Sequence, residues 1–221
     1  MVVKFTPEEQ QKLNLMFEEW MESDHQRKLD NYQELNKSVI HNEIVFTGDS
    51  ITEGYPFGEL FPPEIIVYNR GISAITSTKL LAHIKTQVLD LKPRKLFVLI
   101  GTNDIERDIP LTVTAKTIEN ICQETIHNIP NIKIYVLSVY PVNETKTHIE
   151  SIGKRRNKDI KDLNKMINKI VAQIKGCQYI DLYEYLLKDG NLNERYTYDG
   201  LHLNIEGYRA VTNILTKYVS E

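Results

Sequence analysis

The stretch Glu43-Ile44-Val45-Phe46-Thr47-Gly48-Asp49-Ser50 decides how the 221-residue chain is read. An apolar, β-branched run of strand length ends abruptly in Gly-Asp-Ser, and no charge interrupts it. Such a run suits a strand covered on both faces. A second stretch repeats the pattern: Lys95-Leu96-Phe97-Val98-Leu99-Ile100 ends in Gly101-Thr102-Asn103-Asp104. Two buried strands, each followed at once by a glycine and small polar residues, suggest a parallel sheet whose loops carry polar groups to one edge.

Working outward, the sequence alternates. Strands are expected at 43–47, 65–68, 95–100, 132–138 and 178–182. Helices are expected at about 76–90, 111–128, 153–175 and 205–219. Strand–helix alternation predicts a doubly wound α/β fold with right-handed crossovers. No repeat, low-complexity tract or linker divides the chain, so residues 1–221 read as one domain.

Residues 1–41 form an extension ahead of the first strand. One long helix or a broken pair from 7 to about 36 is announced by Thr6-Pro7-Glu8-Glu9, which places a capping threonine, then proline and acids, in the first turn. Leu13, Met16, Phe17, Trp20 and Met21 recur at helical spacing, so this face is expected to pack on the domain or in a homodimer.

Composition narrows the function classes. A net charge of −3 with 41% hydrophobic and 26% charged residues is that of an ordinary globular protein and gives no electrostatic reason to expect nucleic acid as a partner. The longest apolar run is too short to span a bilayer. The opening MVVKFTPEEQQ lacks the pattern of an export leader, which suggests a cytoplasmic protein. Cys122 and Cys177 show neither a CxxC nor zinc spacing and read as free thiols of a reducing compartment. Asn143-Glu144-Thr145 matches a glycosylation acceptor and reads as a turn.

Ligands in open α/β sheets bind beyond the carboxyl ends of the strands. Ser50 follows the first strand, Gly71 the second and Asn103 the third. Asp199 and His202 precede the last helix on the same edge. Ser50 alone would be a helix cap, His202 a surface histidine and Asp199-Gly200 a turn. Brought together they supply a nucleophile, a base and the carboxylate that orients the base, the set needed for acyl-ester hydrolysis through a covalent intermediate. The backbone N–H of Ser50 and of Gly71, with the Asn103 side-chain amide, would complete an oxyanion site. Asp49 and Asp104 read as supporting carboxylates that hold the turns of Ser50 and Asn103, in preference to a metal or glycosidase pair. Arg70, Arg155 and Arg156 read as solvated surface near the site and are left out of it.

The segments VFTGDSITEG, VYNRGIS, VLIGTND, LSVYPVNE and YDGLHLNIEGY resemble the SGNH-hydrolase superfamily, the GDSL esterases and lipases. Within it they are most similar to bacterial relatives of the platelet-activating-factor acetylhydrolase catalytic subunits. The resemblance runs from about residue 42 onward. It implies a flavodoxin-like three-layer α/β/α sandwich with a five-stranded parallel sheet, Ser50 as nucleophile, His202 as base, Asp199 as its partner, and Gly71 and Asn103 as oxyanion donors. It implies no cofactor or metal and a small-molecule ester as substrate. Short acyl esters such as acetyl are expected, with the walls formed by loops 72–77, 105–110 and 141–151. Other readings are a carbohydrate O-acetyl esterase, an acyltransferase, or a noncatalytic binding protein of the same fold. Ile51 stands where the family name has leucine, and Ala74 stands where many relatives carry a second glycine.

Overall fold

Five strands pair in parallel in the order β2-β1-β3-β4-β5. They are β1 (Ile44–Gly48), β2 (Val67–Gly71), β3 (Lys95–Leu99), β4 (Lys133–Leu137) and β5 (Cys177–Ile180). This computed structural model describes residues 5–220. Residues 1–4, on which the reading of no export leader partly rests, lie outside them.

Alternate side chains of each strand serve opposite layers, as the period of two requires. Val45, Leu96, Val98, Ile134 and Val136 join one core cluster with Leu29, Leu80, Ile118, Ile121 and Leu163. Ile44, Phe46, Phe97, Leu99, Tyr135 and Leu137 join the other, with Tyr55, Phe57, Val211 and Leu215. Helices therefore cover both faces, and the expected three-layer α/β/α sandwich is the observed fold. The first face carries α1 (Pro7–Leu35), the broken helix from α2 (Ser77–Ala82), α3 (Leu111–Asn128) and α4 (Asn157–Val171); the second carries α5 (Ile205–Ser220). On the second face Phe46 and Phe97 stack with centroids 4.3 Å apart and planes within 3°, a packing geometry that adds to the area term.

Three elements differ from the sequence reading, one of them the helix expected at 153–175, which spans Asn157–Val171. The second strand starts later and continues through Asn69, Arg70 and Gly71, pairing Thr47 with Arg70 and Gly48 with Gly71. A charged residue is tolerated in this edge strand because it is partnered. Arg70 is buried, its guanidinium donates to Asn36 Oδ1 and the Asn69 carbonyl, and it lies 4.8 Å from the Tyr32 ring. The expectation of a solvated Arg70 is thus corrected. The helix expected at 76–90 breaks at His83, after which a second short helix covers Ile84–Gln87.

In α1 the cap is as the sequence implies. Glu9 N–H donates to Thr6 Oγ1, and Glu9 Oε2 accepts from Thr6 N–H, a capping box. Of the apolar face expected to pack on the domain or in a homodimer, Met21 alone packs on the domain among the described residues. Met21, His25 and Leu29 are buried, but Leu13, Met16, Phe17 and Trp20 are exposed, Trp20 at 60%. Only the C-terminal half of the helix lies on the sheet layer; the N-terminal half runs past it.

Cys122 and Cys177 are free, and their thiols touch between α3 and β5. Asn143 Oδ1 accepts from Thr145 N–H, the turn expected there. Among the described residues no helix is long and apolar enough to cross a membrane.

Candidate active site

The strand order reverses direction between β1 and β3, and the chains leaving those two strands carry Ser50 and Asn103. Ser50 opens the short helix Ser50–Glu53. Asp49 caps it by accepting Ile51 N–H at 3.0 Å, and Tyr208 of α5 donates to the Ile51 carbonyl. The turn that carries Ser50 is therefore fixed from both sides. Asp49 is buried, and burial pushes its pKa up to about 6, against the pull of Ile51 N–H, Arg155 and His202.

On the opposite side, the loop leading into α5 brings Asp199 and His202 to Ser50, as the sequence reading expects. Ser50 Oγ lies 2.9 Å from His202 Nε2, and His202 Nδ1 lies 2.6 Å from Asp199 Oδ2. An ionised carboxylate only accepts, so Nδ1 carries the ring proton and Nε2 is left to accept from the serine hydroxyl. Asp199 Oδ1 also accepts the N–H groups of Leu201 and His202. Burial works against its ionisation, but these bonds and the ring outweigh it and hold its pKa down at about 2. The loop needs a glycine at position 200, where φ is +85° and a Cβ would sit 2.5 Å from that of His148.

Asn103 is buried with its amide orientation set by chemistry. Arg155 Nη2 donates to its Oδ1 at 2.8 Å, and its Nδ2 donates to the Ile75 carbonyl at 3.1 Å. Arginine only donates and a carbonyl only accepts, so oxygen and nitrogen cannot be exchanged. The second Nδ2 hydrogen takes no acceptor among the described residues.

Gly71 is placed differently from expectation. Its N–H donates to Asn69 Oδ1 at 2.9 Å, and its carbonyl accepts from Tyr32 Oη. Glycine is required there for packing, since a Cβ would stand 2.3 Å from the Glu53 nitrogen. Its N–H is therefore committed and not open to an ester oxygen, which corrects the expected donor. In the loop that follows, Ile72 N–H donates to the Gly48 carbonyl, Ser73 N–H to Glu53 and Ile75 N–H to the Ile72 carbonyl. Among residues 71–75 the N–H that meets no acceptor among the described residues is that of Ala74, which adopts a left-handed φ of 58°.

Asp104 is a support of another kind than expected. It accepts from Ser77 N–H, from the Ser77 hydroxyl and from Thr114. It thus ties the turn after β3 to α2 and α3 instead of bracing its own turn.

Several participants escaped the sequence reading. Arg155, expected on the surface, is buried; burial pushes its pKa down while Glu106, Asp49 and Asp199 oppose that shift. Arg156 is half-buried and donates to the Gly153 and Arg155 carbonyls. Glu53 takes both Ser73 groups and pairs with Lys28 of α1 at 2.6 Å. Tyr198, 66% exposed, lies nearly parallel to the His202 ring, with centroids 5.9 Å apart. Its neighbour in sequence, Asp199, was the signal that could have found it.

The family model described as GDSL-like lipase/acylhydrolase matches residues 46–210. The chain belongs to the GDSL-like lipase/acylhydrolase family. It is similar to a solved Streptococcus pneumonia protein described as a platelet activating factor, with 32% identity, a TM-score of 0.91, and coverage of 94% of this chain and 98% of that one. A GDSL-like lipase from Bacteroides thetaiotaomicron is 25% identical at a TM-score of 0.74, covering 87% and 97% of the two chains. Among curated proteins, the N-acylneuraminate cytidylyltransferase of Escherichia coli is 30% identical over 211 residues, which is 87% of this chain. The GDSL-family chain spans 46% of the length of that relative.

Proposed function

We propose that the chain hydrolyses short-chain carboxylic esters through an acyl-serine intermediate on Ser50. The observation that carries this reading is the relay from Ser50 Oγ to His202 Nε2 at 2.9 Å and from His202 Nδ1 to Asp199 at 2.6 Å. A serine hydroxyl is a weak nucleophile until a base takes its proton as it attacks. His202 takes that proton through Nε2, and Asp199 stabilises the imidazolium that results.

Negative charge then develops on the former carbonyl oxygen. The donors this reading assigns are the N–H of Ser50, the free Nδ2 hydrogen of Asn103 and, in place of Gly71, the free N–H of Ala74. The tetrahedral species collapses as His202 returns the proton to the leaving alcohol oxygen. Water, deprotonated by His202, attacks the acyl-serine in the second half and releases the acid. A noncatalytic reading has nothing to favour it, because no member of the relay is missing.

Substitution Ser50→Ala tests the proposal on a chromogenic acetyl ester. Turnover is expected to fall by at least about 10³-fold with the fold intact; undiminished turnover in the folded variant would sink it.

One observation favours a narrower reading, a sugar O-acetyl ester. Tyr198 offers an exposed flat ring beside His202, where the alcohol part of the ester would leave, and aromatic rings present an apolar face with a polar tip. The Escherichia coli relative is named for N-acylneuraminate, a sugar acid whose own acyl group is an amide, which places a carbohydrate among that protein's substrates. Transfer of the acyl group to an alcohol in place of water would be separated from hydrolysis by product analysis with competing acceptors.

A further inference from the structure

Arg155 reaches the site from the segment between β4 and α4, and all its contacts fall on a few atoms. Nε donates to the Thr102 carbonyl at 3.2 Å and its hydroxyl at 3.1 Å. Nη1 donates to Glu106 Oε2 at 3.0 Å and to the Ile152 carbonyl at 3.1 Å, and Nη2 donates to Asn103 Oδ1 at 2.8 Å. The residue is 6% exposed. Thr102, Asn103 and Glu106 all belong to the single helical turn Thr102–Glu106 that follows β3. One planar fork therefore grips that turn at three residues, and among the described residues its only side-chain amide partner is Asn103. Burying a guanidinium is costly unless it is paired and fully bonded. Helix capping does not account for its place, since beyond the Thr102 and Ile152 carbonyls it meets the side chains of Thr102, Asn103 and Glu106.

We propose that Arg155 is a positioning residue of the oxyanion site: by holding Asn103 Oδ1 it turns the free Nδ2 hydrogen toward the ester oxygen of the tetrahedral species. This rests on Asn103 being an oxyanion donor, as read above. A primary amide without such a lock rotates about its terminal torsion with a broad, roughly two-fold preference, and a rotated Asn103 would present oxygen to a developing anion. Lysine in place of Arg155 keeps the charge but lacks the fork that meets Thr102, Asn103 and Glu106 together.

The test is a double-variant cycle on the full chain with an acetyl ester, reading kcat and KM separately. Asn103→Ala is expected to lower kcat by about 10²–10³-fold. Arg155→Met is expected to lower kcat at least about tenfold with KM nearly unchanged, the mark of an interaction made in the transition state. The double variant is expected to be no slower than Asn103→Ala alone within about twofold, because Arg155 acts through that amide. Wild-type kcat in Arg155→Met would overturn the proposal. So would persistence of its full factor in the Asn103→Ala background, which a merely structural role would give. Should Arg155→Met fail to fold by circular dichroism, Arg155→Lys carries the same cycle with the same expected pattern. Wild-type kcat in Asn103→Ala would instead remove the oxyanion reading beneath, and is distinguishable because it appears in the single variant.

Discussion

Glu53 Oε2 accepts both the N–H and the hydroxyl of Ser73, each at 2.6 Å. The two residues belong to different walls of the site: Glu53 ends the helix that Ser50 begins, and Ser73 lies in the loop after β2. Behind them, Lys28 pairs with Glu53, His25 Nε2 lies 2.8 Å from the Ser73 carbonyl and Tyr32 donates to the Gly71 carbonyl. The C-terminal half of α1 is thereby stitched to the loop that carries Ala74.

Glu53→Gln keeps the shape but loses the charge that both Ser73 groups and Lys28 address. A charge-assisted network of this kind contributes about 1–3 kcal/mol, so a lower melting temperature is expected. Turnover of an acetyl ester is expected to fall about tenfold as the Ala74 loop loses its register with Ser50. Thermal melts and kcat on the same preparation check both, and unchanged kcat would separate the clamp from the chemistry.

Two carboxylates set opposite trends of stability with pH. Asp49 has its folded pKa raised from 3.8 to about 6, so the folded chain holds that proton more tightly than the unfolded one. Stability from this group is full below about pH 4 and is lost as pH rises to about 6, by up to about 3 kcal/mol. Asp199, lowered from 3.8 to about 2, contributes stability that is present above about pH 4 and is lost as pH falls toward 2. Asp49→Asn is expected to flatten the decline between pH 4 and 6 while leaving the acid limb in place. Urea midpoints measured across pH 3 to 7 in both proteins check this, and an identical slope in the variant would count against a buried, proton-holding Asp49.

Tyr198→Ala tests the narrower substrate reading. With a sugar acetate, KM is expected to rise about fivefold, the order of a stacked ring's contribution of about 1 kcal/mol. With a small phenyl-free acetate such as ethyl acetate, KM is expected to stay near wild type. Equal effects on both esters would remove the carbohydrate reading and leave the esterase reading standing.

How much of this was legible in the sequence follows from the range of each contact. Ser50, Asn103, Asp199 and His202 sit directly after strands or before a helix, so topology alone carries them to one edge. Their polar residue types also stand out against the buried runs beside them. Arg155 was not legible. A buried arginine looks like a surface one until its partners are known, and those partners, Thr102 and Asn103, are remote in sequence. Gly71 misled for a different reason. Two physical causes call for a glycine, close approach by a ligand and close approach by backbone, and here Glu53 supplies the second. The apolar stripe of α1 was legible only as apolar, because helical period does not report what covers a face; Met21 packs on the domain, while Trp20 and Phe17 meet each other and solvent.

Covalent capture tests the role of Ser50 most directly. The full chain is treated with a fluorophosphonate at neutral pH, and its intact mass and peptide map are recorded beside those of Ser50→Ala and His202→Ala. The expected result is one phosphonyl adduct per chain, on Ser50, absent from Ser50→Ala and formed far more slowly in His202→Ala, with loss of esterase activity in step with labelling. A folded chain that hydrolyses esters yet takes no adduct on Ser50, or one whose adduct leaves activity intact, would contradict an acyl-serine route.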